Sequence, residues 1–150
     1  MFTRDILSNG VYDTCRELGI PVVAYSPLGR GVLTGQIQTV DAFPEGDIRR
    51  QFDRFQEENL RHNVQLVQKL EPIAKAKHCT VAQLSLAWVL SHEGVIIIPG
   101  ATKINRIEEN AGSGRVSLSA QDLAEIKSIL DAFEVKGGRY NAASAAYLEG

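Results

Sequence analysis

A short stretch after residue 100 carries the side chains best suited to bind a phosphate. Read as a helix at about 100° per residue, its polar side holds Thr102, Lys103, Arg106, Glu109 and Asn110. Its apolar side holds Ile104, Ile107 and Ala111. Backbone N–H groups and the helix dipole favour an anion at a helix N-terminus. Lys103 and Arg106 lie one turn apart there and could clamp a single phosphate ester.

The position of this stretch in the chain also fits a nucleotide site. It follows an apolar segment and Gly100, so the predicted helix begins where a buried strand ends. We expect its apolar side to pack inward and its polar side to face a ligand, with Glu109 and Asn110 hydrogen-bonded to a nucleobase edge. The alternative is a solvated helix face, which the spacing alone favours.

A second candidate segment follows the other strongly apolar run of the chain. It consists of Tyr25, Ser26, Pro27, Leu28, Gly29, Arg30 and Gly31. Ligands of parallel α/β folds bind at the carboxyl ends of the strands. Gly29 and Gly31 would let the backbone approach a pyrophosphate, and Tyr25 could stack on a flat ring. The alternative for Tyr25 is an ordinary interior aromatic.

Two strands must position these segments, and both read as buried. Residues 22–26 and 95–98 are β-branched and almost wholly apolar, which is typical of strands covered on both faces of a parallel sheet. Glycine and proline punctuate residues 27–53, which we predict to be a long loop. Two parallel strands alone leave two open edges, so the chain reads as a piece of a larger α/β protein.

Helices fill the rest of the predicted order. They cover residues 10–18, capped by Asn9, a long stretch from about 55 to 78, and a further helix opened by the capping box of Thr80 and Gln83. Thr102 is the expected cap of the helix over 103–111, which Gly112 would end. A last helix runs from Ser119 to about 133, and residues 134–150 read as a loose tail.

Composition argues against several other classes of partner. Of 150 residues, 16 are Lys or Arg and 18 are Asp or Glu, a net charge of −2, so no basic patch indicates nucleic-acid binding. No apolar run approaches the roughly 18 residues of a membrane span, and the first residues do not form a signal peptide. Cys15 and Cys79 lie in no disulfide or metal-ligand spacing. We expect a cytoplasmic protein with no nucleic-acid, membrane or metal partner.

Three motifs resemble one enzyme family, the aldo-keto reductases. Residues 22–35, VVAYSPLGRGVLTG, resemble the seventh strand of that family and the loop after it. Residues 98–110, IPGATKINRIEEN, resemble the eighth strand and the signature cofactor helix, and residues 82–90, AQLSLAWVL, are similar to the helix before them. The resemblance covers residues 2–133 and looks most like the microbial and fungal pyridoxal-reductase branch.

The resemblance implies the C-terminal portion of a TIM (β/α)8 barrel, an apparently truncated α/β fold that needs about 250 residues when complete. It implies NADP as cofactor and the reduction of aldehydes or ketones to alcohols with NADPH. The implied cofactor-binding residues are Tyr25, Ser26, Pro27, Leu28, Gly29, Gly31, Gly100, Thr102, Lys103, Arg106, Glu109 and Asn110. Tyr25 would stack on the nicotinamide. Gln36 departs from the family, since many relatives carry a pyrophosphate-binding Lys there.

The resemblance also implies that this chain has no catalytic residue of its own. The Asp, Tyr, Lys and His that perform catalysis in the family lie on its first four strands, which have no counterpart here. The alternatives are therefore a non-catalytic fragment that binds a nucleotide or a partner, and a truncated gene model without activity.

Overall fold

The computed structural model describes residues 1–140, which form two strands and five α-helices. The strands are β1 (Val22–Tyr25) and β2 (Val95–Ile98). The helices are α1 (Val11–Glu17), α2 (Glu57–Ala76), α3 (Val81–Leu90), α4 (Ile104–Gly112) and α5 (Ala120–Asp131). Short 3-10 turns lie at Asp5–Leu7, Gly29–Thr34, Val40–Ala42, Ile48–Gln51, Asp53–Phe55 and Ser113–Arg115. Within this part of the chain, no helix is both long enough and apolar enough to cross a membrane.

The two strands pair in parallel, as the sequence predicts. Val22 lies opposite Val95 and Tyr25 opposite Ile98, and the Val22 N–H donates to the Gly94 carbonyl at 2.9 Å. Strand β1 ends at Tyr25 rather than at the predicted Ser26, because Ser26 turns into the left-handed region at φ 47°. Both strands therefore finish at the same edge of the sheet.

The prediction that both faces of these strands are buried is wrong for the described residues. Val23, Tyr25, Ile96 and Ile98 share one face, and each is between 49% and 53% exposed. Helix α3 packs against β2, and the residues of the opposite face are partly buried. Apolar residues on both faces of the strands are typical of a sheet that is buried on both faces, whereas the described residues cover only one face.

The hydrophobic core lies around α2 rather than around the sheet. One face of this helix is apolar at helical spacing and is buried: it consists of Leu60, Val64, Val67, Leu70 and Ile73. Helices α3 and α5 pack against α2. The predicted capping box opened by Thr80 is present, and a second one is opened by Ser119 at the predicted start of the last helix. The two boxes fix where α3 and α5 begin.

Residues 27–53 are more ordered than the predicted long loop. Their 3-10 turns are held down by apolar side chains such as Leu33 and Phe43, which are essentially buried. The Phe43 and Phe55 rings meet edge to face at 5.6 Å between centroids. Glycine and proline indicate where this segment turns, but its phenylalanines decide that it packs onto α2.

The segment expected to be a loose tail is anchored as far as Tyr140. The Asn63 amide donates to the Lys136 carbonyl at 2.8 Å and accepts from the Lys136 N–H at 2.9 Å. The Glu134 carbonyl lies 2.7 Å from His62 Nε2. Side chains of α2 thus replace the backbone partners that this extended segment lacks. The rest of the expected tail, residues 141–150, lies outside the described residues.

We expect the isolated chain to associate through the exposed face of the sheet. Ile96→Glu, which places a charge on this face, should shift the chain toward monomer in size-exclusion chromatography at low micromolar concentration. Ile48→Glu is the matched control, because Ile48 is equally apolar and 61% exposed but lies away from the sheet. A single sharp monomer peak for the unmodified chain would contradict the prediction.

A second prediction concerns the anchor at Asn63, which is fully buried. Asn63→Ala leaves the Lys136 N–H and carbonyl without their partner, so the free energy of unfolding should fall by about 2 kcal/mol. Urea unfolding measures this change. Lys69→Ala, at an exposed position on the same helix, should change the free energy by less than about 0.5 kcal/mol. Equal effects of the two substitutions would show that Asn63 does not anchor the segment.

Candidate functional site

The two segments singled out in the sequence leave the sheet side by side. Because Tyr25 and Ile98 are register partners, the turn after β1 and the approach to α4 start from neighbouring positions. Parallel α/β folds bind ligands at this end of their strands. The structure therefore places both candidate segments at one edge, although 71 residues lie between Ser26 and Ile98 in the sequence.

The turn after β1 depends on its glycines for reasons internal to the fold. Gly29 and Gly31 take φ values of 57° and 101°. A Cβ on Gly29 would lie 2.6 Å from the Phe2 ring, and one on Gly31 would lie 3.0 Å from Ile37. No larger residue fits at Gly29 without moving Phe2. The close packing of this turn accounts for both glycines before any ligand is considered.

The other residues of this turn differ in accessibility. Ser26 is exposed, and its carbonyl accepts from the Gly29 N–H at 2.9 Å. Pro27 is buried and Leu28 is partly buried against the core. The exposed backbone around Ser26 is therefore the part of the turn that a ligand can reach.

Tyr25 is half exposed at the end of β1, and its phenol is held by the end of the described chain. Its hydroxyl accepts from Arg139 Nη1 at 2.9 Å and lies 3.1 Å from the Tyr140 hydroxyl. Partial burial opposes ionisation of the phenol, but the hydrogen bonds with Tyr140 and Arg139 and the positive charges of Arg139 and Arg30 outweigh it. The pKa of Tyr25 consequently lies below its usual value.

Helix α4 contradicts the prediction about which of its sides faces inward. The apolar residues Ile104 and Ile107 are 76% and 58% exposed, whereas Asn110 is only 9% exposed. The α3 residue Gln83 explains the orientation, because its Nε2 donates to the Glu109 carbonyl at 3.1 Å and its amide packs against Gly112. The periodicity of apolar residues shows which residues share a side of a helix, but tertiary packing decides which side faces the protein interior.

The start of α4 also differs from the prediction. Lys103, with an extended backbone, occupies the N-cap position in place of Thr102, and no side chain caps the helix. Gly112 forms the last residue of the helix instead of following it. Gly100, Thr102 and Lys103 are all exposed. The first turn of α4 therefore presents its backbone N–H groups without a side-chain acceptor from a capping residue.

Arg106 joins the two candidate segments. Its Nη1 donates to Glu109 Oε2 at 3.0 Å, and its Nη2 donates to Gln36 Oε1 in the segment after β1. The structure thus brings together Arg106, Glu109 and Gln36, and leaves Lys103 on the exposed side. Gln36, noted in the sequence as a departure from the family, holds the guanidinium in place.

Sequence reasoning gave Arg30 no role of its own and missed Arg139 and Tyr140, whose side chains contact the Tyr25 hydroxyl. Arg30 lies over the Phe52 ring at 4.1 Å and over the Tyr140 ring at 5.1 Å. Arg139 and Tyr140 belong to the segment expected to be loose. The sequence offered one indication that this segment is anchored, because Arg139 and Tyr140 are large side chains among residues that are mostly small. Within residues 1–140, no three His, Cys, Asp or Glu side chains form a cluster that could hold a metal ion.

Several known proteins are similar to this chain in sequence or in structure. An NADP(+) aldo-keto reductase of Schizosaccharomyces pombe is 47% identical over 132 residues, which are 87% of this chain and 39% of that relative. A putative pyridoxal reductase of Saccharomyces cerevisiae is 38% identical over 156 residues, covering 95% of this chain and 45% of that relative. A solved glycerol dehydrogenase from Gluconobacter oxydans matches with a TM-score of 0.76 at 25% identity, over 90% of this chain and 41% of that one.

The chain spans roughly two fifths of the length of these relatives. Its structural neighbours are aldo-keto reductase TIM barrels, so the predicted fold class, two parallel strands with flanking helices from such a barrel, is confirmed. The sequence model of the Aldo/keto reductase family matches residues 1–131, which are most of the chain. The chain belongs to the aldo/keto reductase family.

Proposed function

We propose that this chain supplies the NADP-binding part of a reductase that converts aldehydes or ketones to alcohols with NADPH. The observation that carries the proposal is the junction at Arg106, where α4 meets the segment after β1 at the carboxyl end of the sheet. The S. pombe relative is named as an NADP(+) enzyme. We also propose a cytoplasmic location, which the two free cysteines, Cys15 and Cys79, support.

The side chains at this edge suit the chemistry of NADP. An arginine fork binds a phosphate monoester bidentately, and Arg106 is the guanidinium at the start of α4. The uncapped first turn after Thr102 offers N–H donors beside it. Tyr25 offers a half-exposed aromatic ring at the same edge. The Arg106 guanidinium donates to the Glu109 carboxylate and to the Gln36 amide oxygen. A bound phosphate would replace one or both of these acceptors.

In this proposal each residue binds or orients the cofactor. Arg106, with Lys103, binds the ribose phosphate, and Glu109 and Asn110 contact the adenine. The turn formed by Ser26, Pro27, Leu28, Gly29 and Gly31, with the exposed backbone around Gly100 and Thr102, lies along the pyrophosphate. Tyr25 stacks on the nicotinamide. When bound, NADPH supplies the hydride for the carbonyl carbon.

The proton for the alcohol must come from outside these residues. In the proposal Tyr25 stacks on a ring and takes no part in proton transfer. The non-catalytic alternative shares the binding site and differs only in turnover. Reading the transcript upstream of Met1 for the Asp, Tyr, Lys and His of the family distinguishes the two.

The proposal predicts that Arg106 reads the phosphate that distinguishes NADPH from NADH. Arg106→Ala should weaken NADPH about ten- to a hundredfold, since a hydrogen bond to a charged group is worth about 1.5–3 kcal/mol, and leave NADH almost unchanged. Fluorescence titration with both cofactors measures this. Arg61→Ala, an exposed arginine on α2, is the control. Equal losses for NADPH and NADH would contradict the assignment.

The proposal further predicts that the 150-residue chain alone reduces no carbonyl compound. The measurement is NADPH consumption in the presence of pyridoxal or 4-nitrobenzaldehyde. Turnover that disappears in Tyr25→Phe would instead make Tyr25 the proton donor and overturn this part of the proposal. NADPH binding without turnover is the expected result.

A further inference from the structure

Arginines from four distant parts of the chain meet around one cavity. Arg4, Arg30, Arg54 and Arg139 line a cavity of about 430 Å³ that opens beside β1. Among the described residues, the acidic side chain in its lining is Asp5. Four guanidinium groups therefore face one carboxylate, a local excess of three positive charges (4 − 1) in a chain whose overall charge is −2.

Arg54 is the least compensated of the four. Its Nε atom is buried without a hydrogen-bond partner among residues 1–140. Its two remaining nitrogens make only long contacts to neutral oxygens, 3.3 Å to Thr3 Oγ1 and 3.4 Å to the Gly137 carbonyl. Burial, together with the positive charges of Arg139 and Arg30, lowers the pKa of this guanidinium. A half-buried cation with such partners is costly unless an anion joins it.

The neighbouring arginines leave room for that anion. Arg30 stacks on Phe52 and Tyr140, and no carboxylate of residues 1–140 pairs with it. Arg139 donates to the Tyr25 hydroxyl, and its other terminal nitrogen lies 3.8 Å from Asp5, beyond hydrogen-bond distance. Arg4 is the exception, because its Nη2 donates to the Leu130 carbonyl at 2.7 Å and its Nη1 lies 3.6 Å from Asp131. Arg30 and Arg54 thus have no carboxylate within ion-pair distance among residues 1–140, whereas Arg4 and Arg139 each have one at 3.6 Å and 3.8 Å.

The remaining wall of the cavity is mostly apolar, with polar side chains such as Thr3, Asn9 and His92 among its lining. Phe2, Val23, Leu33 and Trp88 line it together with the arginines. A pocket with an apolar wall and a few converging charges selects a ligand with an apolar body and one oppositely charged end. Guanidinium groups match the planar geometry of carboxylates and the oxygens of phosphates.

We propose that this cavity binds a small organic acid, an apolar body carrying a terminal carboxylate or phosphate monoester. The anionic end contacts Arg54, Arg139 and Arg30, and the apolar body lies toward Trp88. The proposed cofactor contacts of Arg106 and Lys103 are separate, since neither residue lines this cavity. Tyr25, Ser26, Pro27 and Gly29, which the proposed function assigns to the cofactor, also line this cavity, so the two sites adjoin. Where the proposed function also holds, the ligand is an acidic aldehyde or ketone, an extension that rests on that function.

The chain carries its own reporter for this site. Trp88 is the single tryptophan and lies in the cavity wall, so its fluorescence should respond to a bound ligand. We would titrate the chain with benzoate, with phenyl phosphate and with the neutral analogue benzyl alcohol. At least one acid should bind about tenfold or more tightly than benzyl alcohol, and added salt should weaken it. The better acid identifies the anionic group. Equal affinities for all three compounds would overturn the proposal.

Substitutions locate the bound anion. Arg54→Met keeps the bulk and removes the charge, so it should weaken the preferred acid about tenfold or more while leaving the thermal midpoint unchanged or raised. Arg139→Gln, at a more exposed position, should also weaken binding of the preferred acid. This variant tests the proposal if Arg54→Met does not fold. Benzyl alcohol should bind the variants and the unmodified chain alike.

Two further variants separate this site from other cationic positions. Arg61→Met removes an exposed α2 arginine and should have no effect on binding. Arg106→Ala should also bind the acid normally, even if NADPH binding fails for every form of the chain. Unchanged binding in both Arg54→Met and Arg139→Gln, or a loss confined to Arg106→Ala, would place the anion elsewhere and overturn the proposal.

Discussion

Parallel pairing of β1 with β2 sets the geometry of everything that follows in this chain. The register that opposes Tyr25 to Ile98 sends both following segments away from the same edge of the sheet. A parallel pair requires a long crossover, and here α2 and α3 provide it together with the core. The two segments with glycine, arginine and aromatic residues could not meet if the strands were antiparallel, because their carboxyl ends would then lie at opposite edges.

The same pairing explains why the core lies away from the sheet. Two strands offer too little surface to organise a hydrophobic interior, so α2 takes that role and gathers α3, α5 and the phenylalanines of residues 27–55. One apolar face of the sheet and the apolar side of α4 remain exposed. The relatives have chains more than twice as long as the part that matches this chain. The exposed apolar surfaces are therefore consistent with a sheet that further strands and helices cover in those relatives.

Charge is distributed unevenly over this framework. Arg106 is partly buried near the start of α4 and is compensated by the Glu109 carboxylate at 3.0 Å. Arg54 is half-buried beside two other arginines and lacks a carboxylate among the described residues. The segment that ends at Tyr140 contributes to this cluster, and the buried amide of Asn63 fixes it there. One helix side chain therefore supports the arrangement around Tyr25.

The sequence by itself determined the local features of this protein. The helical spacing of the buried residues on α2 and the capping boxes at Thr80 and Ser119 follow from contacts within a few residues. The motifs around Tyr25 and Arg106 were sufficient to identify the family. Only the tertiary structure decided which side of α4 faces inward, that Gln36 holds Arg106, and that Arg139 reaches Tyr25. The reason is physical: periodicity fixes which residues share a side, whereas the orientation of that side depends on partners such as Gln83 and Asn63, which are distant in sequence.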